Sequence, residues 1–237
     1  MTIRHIYHWS GRLFVVLSLM LLFPLIFNIT NADTNIRVFP LDSKPYGMSY
    51  SDWSIKFWQW LFKTPITPPP HPGDDSTGAG CTKSQEGPVW YMAGSSGSEQ
   101  TRNCIVPHGK ALLLTPINVE CSFAENPTLK TEAELRSCAK SDQDKVNPSS
   151  LKLIVDGIPL SNVSKYRFAS PIFNLTLPEN NFLGLDPQVT QAVTDGYWII
   201  LEPLSKGNHT IISTGAIIDP TGVSSFVSDV SWHINIK

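Results

Sequence analysis

The chain has 237 residues and a formal net charge of −2, with 41% apolar, 16% charged and 10% aromatic residues. That length fits one large β domain or two small ones, and the apolar content is enough for a sizeable core. The near-neutral balance excludes the basic footprint of a nucleic-acid-binding or anionic-lipid-binding protein. With so few charges, the polar surface must come from Ser, Thr, Asn, Gln and Pro.

Arg4, His5, His8 and Arg12 precede an apolar run from Leu13 to Phe27, and Thr30-Asn31-Ala32 offers a small-x-small cleavage site. This is the pattern of a secretory signal peptide over residues 1–32. The run is short for a spanning helix, which needs about 20 residues, so an uncleaved anchor is the alternative. Residues 33–48 read as an extended segment broken by Pro40, Pro45 and Gly47. Ser49 and Asp52 then form a capping-box pair, and Trp53, Phe57, Trp60 and Leu61 follow at helical spacing, with Pro65 as the stop. Aromatics at that spacing are what packing a helix onto a sheet requires.

Residues 67–75 form a proline-rich loop that carries His71, Asp74 and Asp75. The stretch from Cys81 to Pro116 organises the rest. Trp90 to Gly94, Ile105-Val106 and Ala111 to Leu114 read as buried strands separated by Gly/Pro turns, with His108 in one of the turns. Thr131 and Glu134 make a second capping box, so residues 127–145 read as a helical surface insertion with a solvated charged face. Beyond it, Lys152 to Val155 runs into an Asp156-Gly157 hairpin turn. Tyr166 to Phe168, Ile172 to Leu177, Tyr197 to Leu201 and Val227 to Ile236 read as strands. Asp186-Pro187 starts a short helix to about Val193. His209 to Thr214 returns antiparallel to the strand at 197–201. Asp195-Gly196 and Gly207 punctuate these strands as turns. The expected fold is mainly β: a single jelly-roll-like β-sandwich over residues 49–237, with one aromatic N-terminal helix and one or two short helical insertions.

Cys81, Cys104, Cys121 and Cys138 are even in number and lack zinc-knuckle spacing. Behind an export signal they read as two disulfides. Three pairings are possible, and the sequential one, Cys81 with Cys104 and Cys121 with Cys138, closes the shortest loops.

Several motifs taken together resemble an uncharacterised family of secreted microbial proteins. They are Trp53…Phe57-Trp58-Gln59-Trp60, His71-Pro72, Gln85-x-Gly87-Pro88-Val89-Trp90, Arg102-x-Cys104-x-Val106-Pro107-x-Gly109-Lys110-Ala111-Leu112 and Asp195-Gly196-Tyr197-Trp198…Pro203-Leu204…His209-Thr210-Ile211. The resemblance covers residues 46–215. It implies export and one composite domain in which both halves belong together, and it implies no activity. Cys121 and Cys138 lie outside its motifs.

No GxSxG, HExxH, Walker loop or GxGxxG is present. Glu86, Asp156, Asp195 and Glu202 flank strands, and the two aspartates precede glycine, as turn residues do. Glu86, Trp90 and Tyr91 are the candidate ligand contacts. His71, Asp74, His108 and His209 are candidate metal ligands if their turns converge. Asn162, Asn174 and Asn208 head glycosylation sequons. The leading expectation is an exported cell-surface or extracellular protein without a cofactor, acting as a non-catalytic binding or surface-association module. Its partner would be a glycan or another envelope protein. Nucleic acid is not expected, and the membrane is met only through an uncleaved N-terminal segment. Glycan affinity would call for exposed Trp or Tyr beside polar side chains. The alternatives are a metal-binding sandwich or metal-dependent hydrolase using His71, His108 and His209, and a purely structural envelope component.

Overall fold

The computed structural model describes residues 36–219 and 221–237, so the signal peptide expected at 1–32 lies outside the described residues. In chain order the elements are α1 (Tyr50–Lys63), β1 (Val89–Met92), β2 (Glu99–Val106), β3 (Ala111–Leu114), β4 (Asn118–Ser122), α2 (Glu132–Gln143), β5 (Lys152–Val155), β6 (Ile158–Pro159), β7 (Arg167–Ala169), β8 (Phe173–Leu177), β9 (Gln188–Tyr197), β10 (Ile199–Leu201), β11 (Gly207–Ile218) and β12 (Ser224–Ile236). The fold is mainly β and sandwich-like.

A middle sheet, β1-β3-β10, sits between two layers. Side chains alternate along a strand, so each of its strands serves both neighbours. Val89, Tyr91, Ala111, Leu113 and Ile200 pack against Trp53, Phe57, Trp60 and Leu61 of α1. Trp90, Met92, Leu112, Leu114, Ile199 and Leu201 pack against an outer sheet, β2-β12-β11-β5-β6. Burial on both faces is why Ala111 to Leu114 is an unbroken apolar run. The outer sheet is covered on one face only, so the residues of β2 within it alternate strictly between exposed and buried. Two ladders are parallel, β1 with β3 and β2 with β12. A jelly-roll strand order is not established by this topology.

A third sheet places β9 between β4 on one edge and β7 and β8 on the other. Phe173, Leu175 and Leu177 meet Phe62 of α1, while Cys121 and Val193 meet Leu135 and Ala139 of α2. The segment before α1 adds to the middle sheet: Phe39 N–H donates to Ile200 O at 3.0 Å, and Val38 bridges Leu201. Residues 34–237 form one compact unit. Among the described residues no helix is long and apolar enough to cross a membrane.

Both predicted capping boxes are present. Ser49 Oγ accepts Asp52 N–H at 3.2 Å and Asp52 Oδ2 accepts Ser49 N–H at 2.9 Å. Thr131 and Glu134 repeat the arrangement at α2. Both disulfides form with the sequential pairing.

Four expectations are corrected. The segment expected as helix is strand from Gln188 onward, because Val189, Thr190, Val193 and Thr194 are β-branched and β9 is paired along both edges. β11 pairs with β12 and β5, not with β10, because the turn at 203–206 carries the chain from the middle sheet to the outer one. Asp195-Gly196 is not a turn. It lies inside β9, where Asp195 accepts Arg167 Nε at 2.9 Å and Nη2 at 2.6 Å. Gly196 faces β4 so closely that a Cβ would lie 2.5 Å from Asn118 Cβ. The helical insertion is not purely superficial, since α2 buries Leu135 and Ala139 against the third sheet.

Candidate ligand cleft and the loop that frames it

Residues 65–84 carry little regular structure, yet polar groups hold them firmly. Lys83 Nζ donates to Pro65 O at 2.7 Å, to Pro69 O at 3.1 Å and to Thr67 O, so one ammonium gathers three carbonyls of the proline loop. Desolvation lowers the Lys83 pKa. Asp75 is buried and accepts N–H groups of Thr77 (3.1 Å), Gly78 (2.9 Å) and Gly80 (2.7 Å). Burial alone would raise its pKa, and the hydrogen bonds from Gly80, Thr77 and Gly78 outweigh that and lower it.

Arg102 on β2 is fully buried. Its Nε bonds Gln100 Oε1 at 2.9 Å, Nη1 bonds Ala93 O at 2.9 Å and Pro72 O at 3.4 Å, and Nη2 bonds Gly94 O at 3.2 Å and Gln100 Oε1. All five donors are therefore used. Burial pushes its pKa down to about 10, against the opposing charges of Asp75 and Asp74. The guanidinium also lies 5.2 Å over the Trp232 ring.

This frame supports a cleft of about 470 Å³ beside α1. Lys56, Gln59, Trp60 and Lys63 line it at i, i+3, i+4 and i+7, one helix face. The facing wall holds Ser84, Glu86 and Tyr91, and Asn174 and Thr176 of β8 close the side. Trp60 stacks on Tyr91 with centroids 5.1 Å apart and planes at 30°. Trp60 Nε1 is fixed to Lys83 O at 3.0 Å, and Gln59 Nε2 to Asn174 O at 3.0 Å. The Gln85 side chain clasps the Tyr91 backbone, accepting its N–H at 3.0 Å and donating to its carbonyl at 2.8 Å. It thereby stands in for a strand partner on the free edge of β1. The Tyr91 phenol is pushed up to about 12, first by burial and then by the charge of Glu86.

The three predicted ligand contacts separate. Glu86 and Tyr91 meet in the cleft, while Trp90 points to the opposite face of β1, into the core against the outer sheet. One residue along a strand reverses the face, which is why three consecutive-looking candidates cannot share one site. Lys56, Gln59 and Lys63 are not among the sequence candidates, and Asn174 is one only as a sequon asparagine. The signal for the three helix residues is the polar flank of α1 at i, i+3 and i+7 beside Trp60, and Asn174 arrives from β8 without a local signal for this cleft.

The predicted metal ligands do not converge. His71 is buried, stacks on Phe182 at 4.4 Å, accepts Gly73 N–H through Nδ1 at 3.1 Å and bonds Leu61 O through Nε2 at 2.9 Å. Burial lowers its pKa, so the ring is a neutral structural bracket with both nitrogens spent. Asp74 is exposed on that loop, and His108 is exposed on the β2–β3 turn. His209 lies on β11 of the outer sheet, 2.7 Å from Asp156 Oδ2 through Nδ1 and 2.9 Å from Ser205 O through Nε2. Among the described residues the one group of three His, Cys, Asp or Glu with ligand atoms within 4.8 Å of one another is Cys121, Cys138 and Asp142. Its two sulfurs are already joined in a disulfide.

A second, shallower cleft of about 630 Å³ lies on the open face of the outer sheet. Asn103, His233 and Thr210 form a row across β2, β12 and β11 there, and Asp156 of the β5–β6 turn extends it, beside the loop at 78–82. It lacks an aromatic wall. Trp53, Trp60, Trp90, Trp198 and Trp232 are all buried, and Trp58 is half-buried with Nε1 bonded to Thr194 Oγ1 at 2.9 Å. No Trp is fully exposed among the described residues; Tyr46 is an exposed ring ahead of α1, and the cleft beside α1 is edged by the largely buried rings of Trp60 and Tyr91. No family model, no curated protein and no solved structure matches the chain, so the resemblance noted from its motifs gains no support from these comparisons.

Proposed function

We propose that this chain is an exported, non-catalytic binding module whose cleft beside α1 takes a saccharide. The observation that carries this reading is the convergence of the Trp60–Tyr91 stack with Gln59, Glu86 and Asn174 around one cavity. A sugar presents C–H patches and hydroxyls together. Ring edges suit the former, and side-chain amides and a carboxylate suit the latter. Trp60 and Tyr91 each keep only 7% of their surface exposed, so the amides and Glu86 supply most of the recognition. The exported character is supported by the N-terminal apolar run and by the two disulfides, which persist in oxidising compartments.

A glycan array probed with the purified full chain tests the cleft. Selective binding is expected, and Glu86→Ala or Gln59→Ala should weaken it by about tenfold or more, the cost of a lost charged or amide contact of ~1.5 kcal/mol. A blank array, or binding indifferent to both substitutions, would discard the assignment.

A further inference from the structure

Within that saccharide reading, on which it rests, we infer that the cleft selects acidic saccharides, with Lys56 and Lys63 binding a ligand carboxylate and Glu86 holding hydroxyls on the opposite wall. The two lysines stand seven residues apart, two helical turns, and both line the same cavity. Neither has a carboxylate within salt-bridge distance among the described residues, whereas Lys140 and Lys145 are each paired with a neighbouring aspartate. Asp52, one turn before Lys56, is committed to the Ser49 cap. Lys83, the next cation along, is held by loop carbonyls. The cleft lining therefore carries two uncommitted ammonium groups and one carboxylate, Glu86.

The geometry separates the charges. Both lysines project from α1, and Glu86 projects from the facing loop, close enough to Tyr91 for its charge to be felt at the phenol. A neutral sugar would use the Glu86 side and leave both lysines idle. A uronic acid would use both sides. Solvent-exposed ion pairs of this kind contribute a few-fold each, so about tenfold together, and they weaken as salt shortens the screening length from about 10 Å at 0.1 M.

The test is titration of the full chain with uronate-containing oligosaccharides and with their carboxyl-reduced counterparts, which differ only in the charged group. The acidic member of each pair should bind about tenfold tighter at low salt, with the ratio shrinking toward one at 1 M salt. The Lys56→Gln/Lys63→Gln double variant should bring the ratio to one, with an unaltered melting curve showing that it folds, and a ratio that persists in it would overturn the assignment to the two lysines. Equal affinity for both members would overturn the acidic preference while leaving the saccharide site standing. Binding of neither would overturn the saccharide site and this inference with it.

Discussion

Glu120 shows how one residue can set a pH dependence. It lies on β4, its Oε1 is buried without a hydrogen-bond partner, and Glu125 is beside it, held by Ser122 Oγ at 2.8 Å. Burial raises its pKa well above the usual carboxylate value, the neighbouring Glu125 raises it further, and Ser122 opposes them. The folded state therefore holds a proton that the unfolded chain releases near 4.5. The stability linked to that proton is complete below 4.5 and is lost as pH rises through the folded value. Glu120→Gln keeps the shape and removes the titration. Urea midpoints measured from pH 4.5 upward should fall less steeply in the variant than in the wild type, and parallel curves would refute the assignment. Asp75 contributes with the opposite sign, because its lowered pKa costs stability as pH falls, and comparison of the two proteins cancels it.

At the scale of elements, the loop at 65–84 is the one whose order rests on side chains rather than on a backbone ladder. Gly78, at φ +88°, lies against β2 so closely that a Cβ would come 2.1 Å from Asn103 O. The Cys81–Cys104 disulfide fastens the same loop to the same strand, and in the chain-entropy account adds about 3 kcal/mol. Arg102 reaches from β2 to both the loop and the end of β1. Arg102→Met keeps the stem and leaves four carbonyl and amide acceptors without their donor. It should cost about 3 kcal/mol, read by chemical denaturation, because breaking a buried charged network is expensive. A loss under about 1 kcal/mol would mean that water replaces the guanidinium without penalty. In the sequence, Arg102 is an ordinary polar residue in a short motif. Its role became visible only when the strand was seen to begin at Glu99 and to bury Gln100, Arg102 and Cys104 on one face.

The α1 cleft and the outer-sheet cleft lie on different faces of one compact unit, and the three sequon asparagines are all exposed. Asn162 takes a left-handed backbone, φ 60°, in a turn, Asn208 begins β11, and Asn174 stands in the wall of the α1 cleft. We expect the chain to be recovered from the cell exterior with both disulfides intact and with glycan on at least Asn162. Intact-mass measurement before and after enzymatic deglycosylation and reduction checks both. An unmodified, reduced intracellular chain would refute export. Glycan on Asn174 would project into the cleft, so a form modified there should regain ligand binding on deglycosylation.

Local chemistry fixed much of this protein in advance. The caps at Ser49 and Thr131, the aromatic stripe of α1, the unbroken run of β3, the Asp156-Gly157 turn and the sequential disulfides are all short-range patterns, each decided by residues a few positions apart or by loop length. Tertiary structure alone decided the rest. An N-cap pair at Asp186-Pro187 lost to two flanking strands, because paired edges and β-branched side chains outweigh a cap worth about 1 kcal/mol. It also parted Trp90 from Tyr91 by the pleat, spent both nitrogens of His71 on backbone, and brought Asn174 from β8 to Gln59 of α1. Those outcomes depend on contacts between residues far apart in the chain, and no local propensity encodes which distant strand will arrive.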